Sequence, residues 1–578
     1  MELEDILNLL KKFNYNWFDF PIVQYNKDFQ YKDIAKIPFF SKTEVNNLPN
    51  EINYLCSQRV FQRLNYIKQL SFIYLFYLGG CHTRLEHTLG TLCIGKRYLE
   101  NIKENNDVEL EDFERIGLYI ALFIHDSCHG PFGHSLELIK KFLVPENTSN
   151  ERIDKILIRK YLEDPDNSIR KALTQISPIN IDKFIQFLMN LFDNNYNKKT
   201  FLVEILNSLV DADRLDYIPR DRHHIGISSN IKPENLTDLF STIKIIEVWG
   251  TLKNKIVFSH DFKSIIDTVI DERAHMYNQY YHGEKSKIAD TILPHIFYQF
   301  LDFHNLILHR GALKNRQLKL DIIGEILKLS DFDFIRFIKI IEEPWYAVDL
   351  LENLLVGQLY INIKEWNIFD NIEKNKNELT HILSLANERA KERGIDILED
   401  NIQLKMEIHK EIVRETSNLS FEAYLFHFIT NCVKEVQGKI FDVELSFWKD
   451  HVLEKEALRK KIIKIGGEKT GDERGKSFTD IPQVYIALPN YFPSFDEVIK
   501  YNQHPKEGEK SVPTLIYHPN KEFIESNIEK YFDKRPIPQQ VKSYSLYLLI
   551  PDYLKEFESY IIEVFEKYVK SLDWWNLE

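Results

Sequence analysis

The feature that most constrains this chain is a short apolar run that ends in two ionisable side chains. Residues 118–124 read LYIALFI and are almost wholly apolar, and His125 and Asp126 follow directly. A helix that carries apolar side chains around its whole circumference is buried on all sides. An imidazole and a carboxylate at its end would be costly to bury unless they were paired or bound a metal. The run therefore predicts a buried helix that places a polar pair at an interior site.

Two further segments place ionisable residues in or beside apolar helices. In CHTRLEHTLG, Arg84 and His87 are three residues apart and therefore share one face of a helix. In LVDADRLDYIPRDRHHIGI, the spacing of four residues would place Asp213, Tyr217 and Asp221 along one face. Both segments thus predict helices with one polar, chemically active face.

Four of these side chains make a candidate metal site. Two imidazoles and two carboxylates suit a divalent first-row cation such as Mn, Fe, Ni or Zn, with Mg possible if the ligands are weak. Such a set leaves positions open for water and a phosphate oxygen, so the metal can polarise a phosphoryl group. His129 and His134 lie on either side of a Gly-Pro-Phe-Gly turn and could act as general acid or base. A single His-Asp dipeptide would carry little weight, and the prediction rests on four ligands: His87, His125, Asp126 and Asp213.

Apolar residues at three- and four-residue spacing dominate the chain up to about residue 440, which predicts helices. The stretches with this spacing are residues 92–103, 109–124, 153–162, 181–191 and 202–216. Pro219 could end or kink the helix that carries Asp213, and the pair His223–His224 is most simply a helix end. Strands are predicted at residues 243–249, 255–259, 483–488 and 543–550, and a further helix at 553–569. A mostly α-helical fold with a smaller mixed α/β C-terminal lobe is therefore expected.

The length of 578 residues exceeds one ordinary core, so two or three domains or lobes are expected. Residues 461–478 are rich in glycine and charged side chains, which is typical of an exposed, flexible loop. The predicted units are an N-terminal extension at 1–45, a catalytic domain at 46–335, a helical extension at 336–440 and a mixed α/β lobe at 441–578.

The charge and cysteine content indicate which binding partners and which cellular compartment to expect. The formal net charge of -13 would repel nucleic acid and anionic membranes, although a local basic cleft could still bind a small polyphosphate. The five cysteines show no CxxC spacing, which suits reduced thiols. The N-terminus is acidic where a secretory signal would be basic, and the densest apolar run is shorter than the ~20 residues of a membrane span. We therefore expect a soluble cytoplasmic protein without membrane or nucleic-acid partners.

Four segments within residues 57–294 resemble one family. They are VFQRLNYIKQLSFIYLFYLGGCHTRLEHTLG, HDSCHGPFGHS, DADRLDYIPRDRHHIGI and ERAHMYNQYYHGEKSKIADTIL. Together they resemble the HD-superfamily deoxynucleoside triphosphate (dNTP) triphosphohydrolases, which include a vertebrate SAM-and-HD-domain enzyme and bacterial dGTPases. The resemblance implies an HD-domain fold of the HD/phosphodiesterase-like class. It also implies hydrolysis of dNTP at the α-phosphate to a deoxynucleoside and inorganic triphosphate.

The resemblance also implies a role for each matching residue. Arg84 would hold a phosphate, and Arg273 would hold the far end of the triphosphate. The residues implied in catalysis are His129, His134, Asp213 and Arg84. The residues implied in substrate binding are Gln69, Leu70, Arg84, Arg214, Tyr217, Asp221, Arg273, Tyr277 and Tyr281. Among these, Gln69 and Asp221 would bond the sugar 3′-hydroxyl, and Tyr217 and Tyr281 would pack under the sugar where a 2′-hydroxyl would clash.

The chain departs from the family pattern at four positions. Arg214 stands where a phosphate-contacting lysine is usual, and Tyr277 stands where the vertebrate member has histidine. Ser57 and Asn65 stand where that member has an acid and an arginine that recognise guanine at an allosteric site. Activation by a guanine triphosphate is therefore not expected from this chain, although another nucleotide could serve.

The resemblance further implies a homo-oligomer, such as a dimer, tetramer or hexamer, with a nucleotide effector bound between subunits. Control of the dNTP pool and antiviral (anti-phage) defence are both open as biological roles. One alternative is an HD-type phosphodiesterase or nuclease that acts on cyclic nucleotides or single-stranded nucleic acid. Another is a nucleotide-sensing subunit that binds without turnover, although the intact ligand set argues against it.

Overall fold

The computed structural model of the chain describes a set of segments that carry most of the predicted site residues. These are residues 3–13, 22, 24–25, 37–40, 45, 47–136, 153–208, 210–248, 253–281, 283–304, 316–341, 345–357, 360–367, 485–487, 515–517 and 545–563. The fold of these segments is mostly α-helical. The predicted loop near 461–478 lies outside the described residues, and the domain boundaries stay a prediction.

Helices make up most of the described fold. In chain order they are α1 (Leu3–Phe13), α2 (Asn50–Ser57), α3 (Arg59–Gln62), α4 (Arg84–Asn105), α5 (Asp112–Ile124), α6 (Ile153–Glu163), α7 (Ser168–Ile176), α8 (Ile181–Phe192), α9 (Thr200–Leu206), α10 (Ala212–His224), α11 (Pro233–Ser241), α12 (Lys263–Met276), α13 (Glu284–Phe303), α14 (Arg316–Leu327), α15 (Asp331–Ile341) and α16 (Trp345–Leu355).

Helix α5 lies at the centre of the main hydrophobic core, as its apolar sequence predicts. Residues 118–124 are all buried, and α5 packs against α4 and α8. A capping box at Glu111 and Glu114 begins the helix by satisfying backbone amides of its first turn. Helix α4 in turn packs against α10 and α11. The three helices α4, α5 and α10 therefore meet around the ends that carry the ionisable residues.

The predicted helix over residues 202–216 is wrong as a single element. The chain forms α9, leaves the helical conformation at Asn207 and begins again with α10. The carboxylate of Asp211 explains the break, because it accepts the backbone amides of Ser208 and Arg214 and so caps the new helix. Pro219 does not end α10, which continues to His224 as the His-His pair suggested.

Two small sheets accompany the helices. β1 (Lys244–Val248) and β2 (Lys253–Ser259) form an antiparallel hairpin, and β5 (Leu515–Tyr517) pairs with β2 in parallel. β6 (Ser545–Ile550) lies between β3 (Ile361–Asn367) and β4 (Tyr485–Ala487), antiparallel to both. Each sheet thus joins C-terminal strands to strands from earlier in the chain, and the four predicted strand regions are confirmed to within a few residues.

Two further observations concern membrane-spanning helices and disulfide bonds. Among the described helices, none has the length and apolar character that crossing a lipid bilayer requires. No disulfide joins Cys56, Cys81, Cys93 and Cys128, the cysteines of the described segments.

Candidate metal centre

Three helix ends bring the four predicted metal ligands together. His87 lies in the first turn of α4, whose N-cap is Thr83. His125 and Asp126 follow the last residue of α5. Asp213 lies in the first turn of α10, and α10 packs directly against α4. The ligands are far apart in sequence and become neighbours because these helices share one core.

The distances fit a single divalent cation. The ligand atoms of His87, His125 and Asp126 all lie within 4.8 Å of one another. The Nε2 atoms of His87 and His125 lie 3.7 and 3.5 Å from carboxylate oxygens of Asp126. Asp213 Oδ1 is 3.0 Å from His87 Nε2 and 3.7 Å from His125 Nε2. Three of the four predicted ligands therefore form one compact group, and Asp213 lies beside its two histidines.

An orphaned polar atom shows that this group suits a metal. His125 Nδ1 lies 2.7 Å from the carbonyl oxygen of Leu122, which can only accept, so Nδ1 carries the proton. His125 Nε2 is buried and has no hydrogen-bond partner. A buried nitrogen lone pair without a partner is unfavourable in a folded protein. Two imidazole nitrogens and carboxylate oxygens are a donor set that divalent first-row metals accept, so the residues present fit such an ion.

The electrostatics of the site also favour a cation. Burial lowers the pKa of His87, but the carboxylates of Asp213 and Asp216 outweigh this effect and raise it to about 10. For Asp213, burial raises the pKa, but the neighbouring His125 and His87 imidazoles hold it well below its usual range. The carboxylates therefore create a negative potential that either protons on the imidazoles or a bound metal ion must neutralise.

A carboxylate that the sequence interpretation missed orients one of the metal ligands. His87 Nδ1 donates to Asp216 Oδ2 at 2.9 Å, which leaves Nε2 facing the ligand group. Asp216 also accepts two hydrogen bonds from Arg220, at 2.9 and 2.7 Å. Arg220 and His224 both donate to Glu86. Asp216 lies three residues after Asp213 on the same helix, and this spacing was the signal that could have identified it.

Two of the predicted catalytic residues contact Asp126. Arg84 is almost fully buried, and its Nη1 atom donates to Asp126 Oδ2 at 2.6 Å. His129 is fully buried, with Nδ1 3.5 Å from Asp126 Oδ1. The side chain of His134 lies outside the described part of the chain. Arg84 and His129 are therefore beside the metal ligands, on the side that the Gly-Pro-Phe-Gly turn covers.

A second cluster lies beside the metal centre and joins helices α10 and α12. Arg273 Nε donates to Tyr217 OH at 3.3 Å, and the Arg273 guanidinium lies over the ring of Tyr277 at 5.0 Å. The rings of Tyr277 and Tyr281 meet edge to face at 5.0 Å. Tyr281 OH donates to Asp221 Oδ2. Tyr217 links this cluster to the metal centre, since its ring centroid is 6.4 Å from that of His87.

The remaining predicted substrate residues lie at the edge of this cluster. The backbone amide of Gln69 donates to the carbonyl of His82, while the side-chain oxygen of Gln69 is buried without a partner. His82 Nε2 lies 2.9 Å from Asp221 Oδ1, which places Gln69 near Asp221. Leu70 packs in a small core with partly buried Tyr281. Arg214 pairs with Asp211, and its Nε atom is buried without a partner.

Comparison with solved structures supports the fold. The chain is similar to a phosphohydrolase from Bacteroides thetaiotaomicron, with a TM-score of 0.50 and 17% sequence identity, over 87% of this chain and 96% of that one. No model of a known protein family matches the chain. The fold is thus like that of a known phosphohydrolase, and the His/Asp group is consistent with a divalent-metal site.

Curated proteins provide two informative relatives. The chain is 26% identical over 349 residues to the uncharacterized protein YwfO of Bacillus subtilis, which covers 59% of this chain and 72% of that protein. It is 23% identical over 299 residues to the deoxynucleoside triphosphate triphosphohydrolase SAMHD1 of Bos taurus. That match covers 48% of this chain and half the length of the bovine enzyme. The SAMHD1 enzymes are therefore distant homologues.

Proposed function

We propose that this protein hydrolyses dNTPs at the α-phosphate and releases a deoxynucleoside and inorganic triphosphate. One observation carries the proposal. The His/Asp group lies next to a cluster that offers a partly buried cation at Arg273, aromatic rings at Tyr217 and Tyr281, and a carboxylate at Asp221. A metal, a cation, a flat apolar surface and a hydrogen-bonding acid are what a triphosphate attached to a sugar requires.

The residues around the metal centre would act on the phosphate. A divalent metal held by His87, His125, Asp126 and Asp213 would polarise the phosphoryl group and lower the pKa of a water molecule. Arg84, whose guanidinium already contacts Asp126, would hold a phosphate oxygen through charge-assisted hydrogen bonds. His129 and His134 are proposed to supply the proton that the departing 5′-oxygen needs.

The second cluster would select the deoxysugar. Tyr281 is bonded to Asp221, so its ring is fixed in orientation and leaves little freedom to accommodate another group. A 2′-hydroxyl packed against the Tyr217 and Tyr281 rings would lose water without gaining a partner, which disfavours ribonucleotides. Gln69 and Asp221 would bond the 3′-hydroxyl, and the unpartnered side-chain oxygen of Gln69 supports its share in this role.

The distant similarity to SAMHD1 supports the same substrate class, because the bovine homologue is named for this reaction. We also propose a homo-oligomer that is regulated by a nucleotide bound between subunits, with a role in dNTP-pool control or antiviral defence. Ser57 and Asn65 make local hydrogen bonds, with Tyr54 and Thr83 respectively. Neither provides the charge that would recognise guanine, so the proposed effector need not be a guanine nucleotide.

A product assay tests the proposal. The protein loaded with Mn²⁺ is incubated with each of the four dNTPs, alone and in pairs, and the products are separated by ion-exchange chromatography. Inorganic triphosphate and deoxynucleoside should appear in equal amounts. Pairs of dNTPs separate a substrate from an activator, since an activator raises turnover of its partner. Ribonucleoside triphosphates, a cyclic dinucleotide and a single-stranded oligonucleotide are tested in parallel.

A matched pair of variants assigns the activity to the site. Asp126→Ala removes a metal-ligating carboxylate and should abolish both Mn²⁺ binding and turnover. Asp166→Ala removes a carboxylate that is 96% exposed on a distant loop and should leave both unchanged. Release of pyrophosphate or nucleoside monophosphate would contradict the reaction, and cleavage of the oligonucleotide or cyclic dinucleotide in place of dNTPs would favour the phosphodiesterase or nuclease alternative.

A further inference from the structure

A short segment far from the sequence motifs holds two loops of the site. Residues 327–333, which we call the bridging segment, connect the end of α14 to the first turn of α15. They lie outside the region of residues 57–294 that carries the motif matches. Two buried charged residues, Arg63 and Asp331, join the bridging segment to the loops on either side of the metal centre.

Arg63 joins the bridging segment to the loop that carries Asp126 and His129. Its guanidinium donates to the carbonyls of Leu327, Lys328 and Leu329 at 3.0, 2.7 and 3.2 Å. It also donates to the carbonyl of His129 at 2.5 Å and reaches that of Ser127 at 3.4 Å. Arg63 is fully buried, so these carbonyls replace water around its charge. One planar guanidinium thus fixes the end of α14 against the backbone of residues 127–129.

Asp331 makes the complementary connection. Its Oδ1 accepts the backbone amide of Phe132 at 2.6 Å, and its Oδ2 accepts the backbone amide of Lys68 at 2.9 Å. Burial raises the pKa of Asp331 to about 6, so the group is ionised at neutral pH and both oxygens can accept. A single carboxylate therefore links the turn at residues 130–133 to the segment that carries Gln69.

The backbone at Lys68 and at Phe132 lies next to segments that carry side chains of the site. Lys68 forms a β-bridge with Thr83, and the amide of Arg84 donates to the carbonyl of Ile67 at 2.9 Å. Phe132 and Gly133 have φ angles of 55° and 54°, a region that Phe occupies only when its surroundings enforce it. A Cβ atom on Gly133 would lie 2.4 Å from Arg84 Nη2, so this turn forms one wall around the Arg84 guanidinium.

We propose that Arg63 and Asp331 are positioning residues that hold the Arg84 side and the His129 side of the site in register for catalysis. The inference rests on the proposed function, because kcat for dNTP hydrolysis is the kinetic measurement that tests it. The hydrogen bonds by which Arg63 and Asp331 join these segments go to backbone atoms of the loops and of the bridging segment, and not to side chains of the metal ligands. Their loss should therefore misalign the loops while leaving the metal bound.

Asp331→Asn tests this with Asp333→Asn as the matched control. In Asp331→Asn the amide nitrogen cannot accept, so one of the two loop amides loses its partner while the side chain keeps its shape. Asp333 is also buried, but its carboxylate accepts from Ser330 and so caps α15. It makes this bond within the bridging segment and not with a loop of the site. Both variants are measured for melting temperature, Mn²⁺ affinity, steady-state kinetics and amide hydrogen exchange over residues 127–136.

We expect kcat of Asp331→Asn to fall by about 10- to 100-fold, with KM and Mn²⁺ affinity changed by less than about threefold. Exchange over residues 127–136 should become faster in this variant. Asp333→Asn should lower the melting temperature and leave kcat within about twofold of the original protein. Arg63→Lys, which keeps the charge but cannot reach both sets of carbonyls, should reproduce the loss of kcat.

Equal loss of kcat in both Asp variants would overturn the inference, because it would reveal a general effect of stability. An Asp331→Asn variant with normal kcat and normal exchange would overturn it as well. If the original protein does not hydrolyse dNTPs, the proposed function fails, and the exchange comparison still decides whether Asp331 holds the loop. Faster exchange over residues 127–136 in Asp331→Asn alone would then support positioning, and unchanged exchange would refute it.

Discussion

Replacement of Asp216 by Asn tests whether a residue behind the metal centre controls metal affinity. Asp216 is buried and accepts one hydrogen bond from His87 and two from Arg220. Asn keeps the shape but has one accepting oxygen and no charge. That single oxygen must serve both His87 and Arg220, so the charged hydrogen bond that fixes the His87 ring is lost and its Nε2 atom is held less firmly toward the other ligands.

The magnitude follows from the bond that is lost. A hydrogen bond to a charged group contributes about 1.5–3 kcal/mol net. Since about 1.4 kcal/mol corresponds to a factor of ten, the affinity for Mn²⁺ should weaken by about 10- to 150-fold. This agrees with the about 10- to 100-fold loss that is typical when the partner of a metal-ligating histidine is removed. The fully buried Arg220 also loses its closest carboxylate, so the variant should be less stable.

Isothermal titration calorimetry with Mn²⁺ measures the affinity, and thermal unfolding without metal measures the stability. Glu86→Gln is the matched control, because the Glu86 carboxylate accepts from the same Arg220, and from His224, whereas the acceptor for His87 Nδ1 is Asp216. It should lower the melting temperature with little change in Mn²⁺ affinity. If Asp216→Asn bound Mn²⁺ as tightly as the original protein, or if Glu86→Gln weakened binding equally, the orienting role of Asp216 would be refuted.

Two other changes follow from the same structure. Gly133→Ala places a Cβ atom against Arg84 in a backbone conformation with φ of 54°. We expect the free energy of unfolding to fall by about 1–3 kcal/mol and the KM for dNTP to rise. Denaturant unfolding and steady-state kinetics measure these two effects. An unchanged KM would show that the turn does not constrain Arg84. Burial raises the pKa of Glu204 to about 7 from its ordinary 4.5, so the folded state holds this proton more tightly and loses stability as pH rises from about 4.5 to 7. Glu204→Gln keeps the acceptor for the Ile256 amide, and its stability relative to the original protein should rise by up to about 3 kcal/mol between pH 4.5 and 8 in urea titrations. A constant difference across this range would show that Glu204 titrates normally.

The spacing of apolar residues along the chain predicted the helices that carry the site, except for the break between α9 and α10. The seven residues before His125 are buried on every side, as an uninterrupted apolar run requires. The break between α9 and α10 was not predicted, because apolar periodicity continues through it. The Asp211 side chain accepts backbone amides that would otherwise take part in a continuous helix, so it ends one helix and caps the next. The spacing of hydrophobic residues does not indicate such side-chain hydrogen bonds.

The residues that support the site were harder to find. Asp216 was within reach of sequence reasoning, since it shares a helix face with Asp213. Arg63 and Asp331 were not, because each bonds backbone atoms of distant segments. A carbonyl or amide group is present at every residue, so a side chain that binds one leaves no pattern in the sequence.

The sequence by itself determined which helices carry the ionisable side chains, and it predicted which of these side chains would bind a divalent metal or a phosphate. Helical periodicity and residue type are local properties, and they survive without knowledge of the fold. Only the tertiary structure decided that α4, α5 and α10 bring His87, His125 and Asp126 into one compact group, with Asp213 and Tyr217 beside His87. It also decided that residues 327–333 hold the loops in place. These arrangements depend on packing between segments separated by tens to hundreds of residues, and no local pattern specifies that packing.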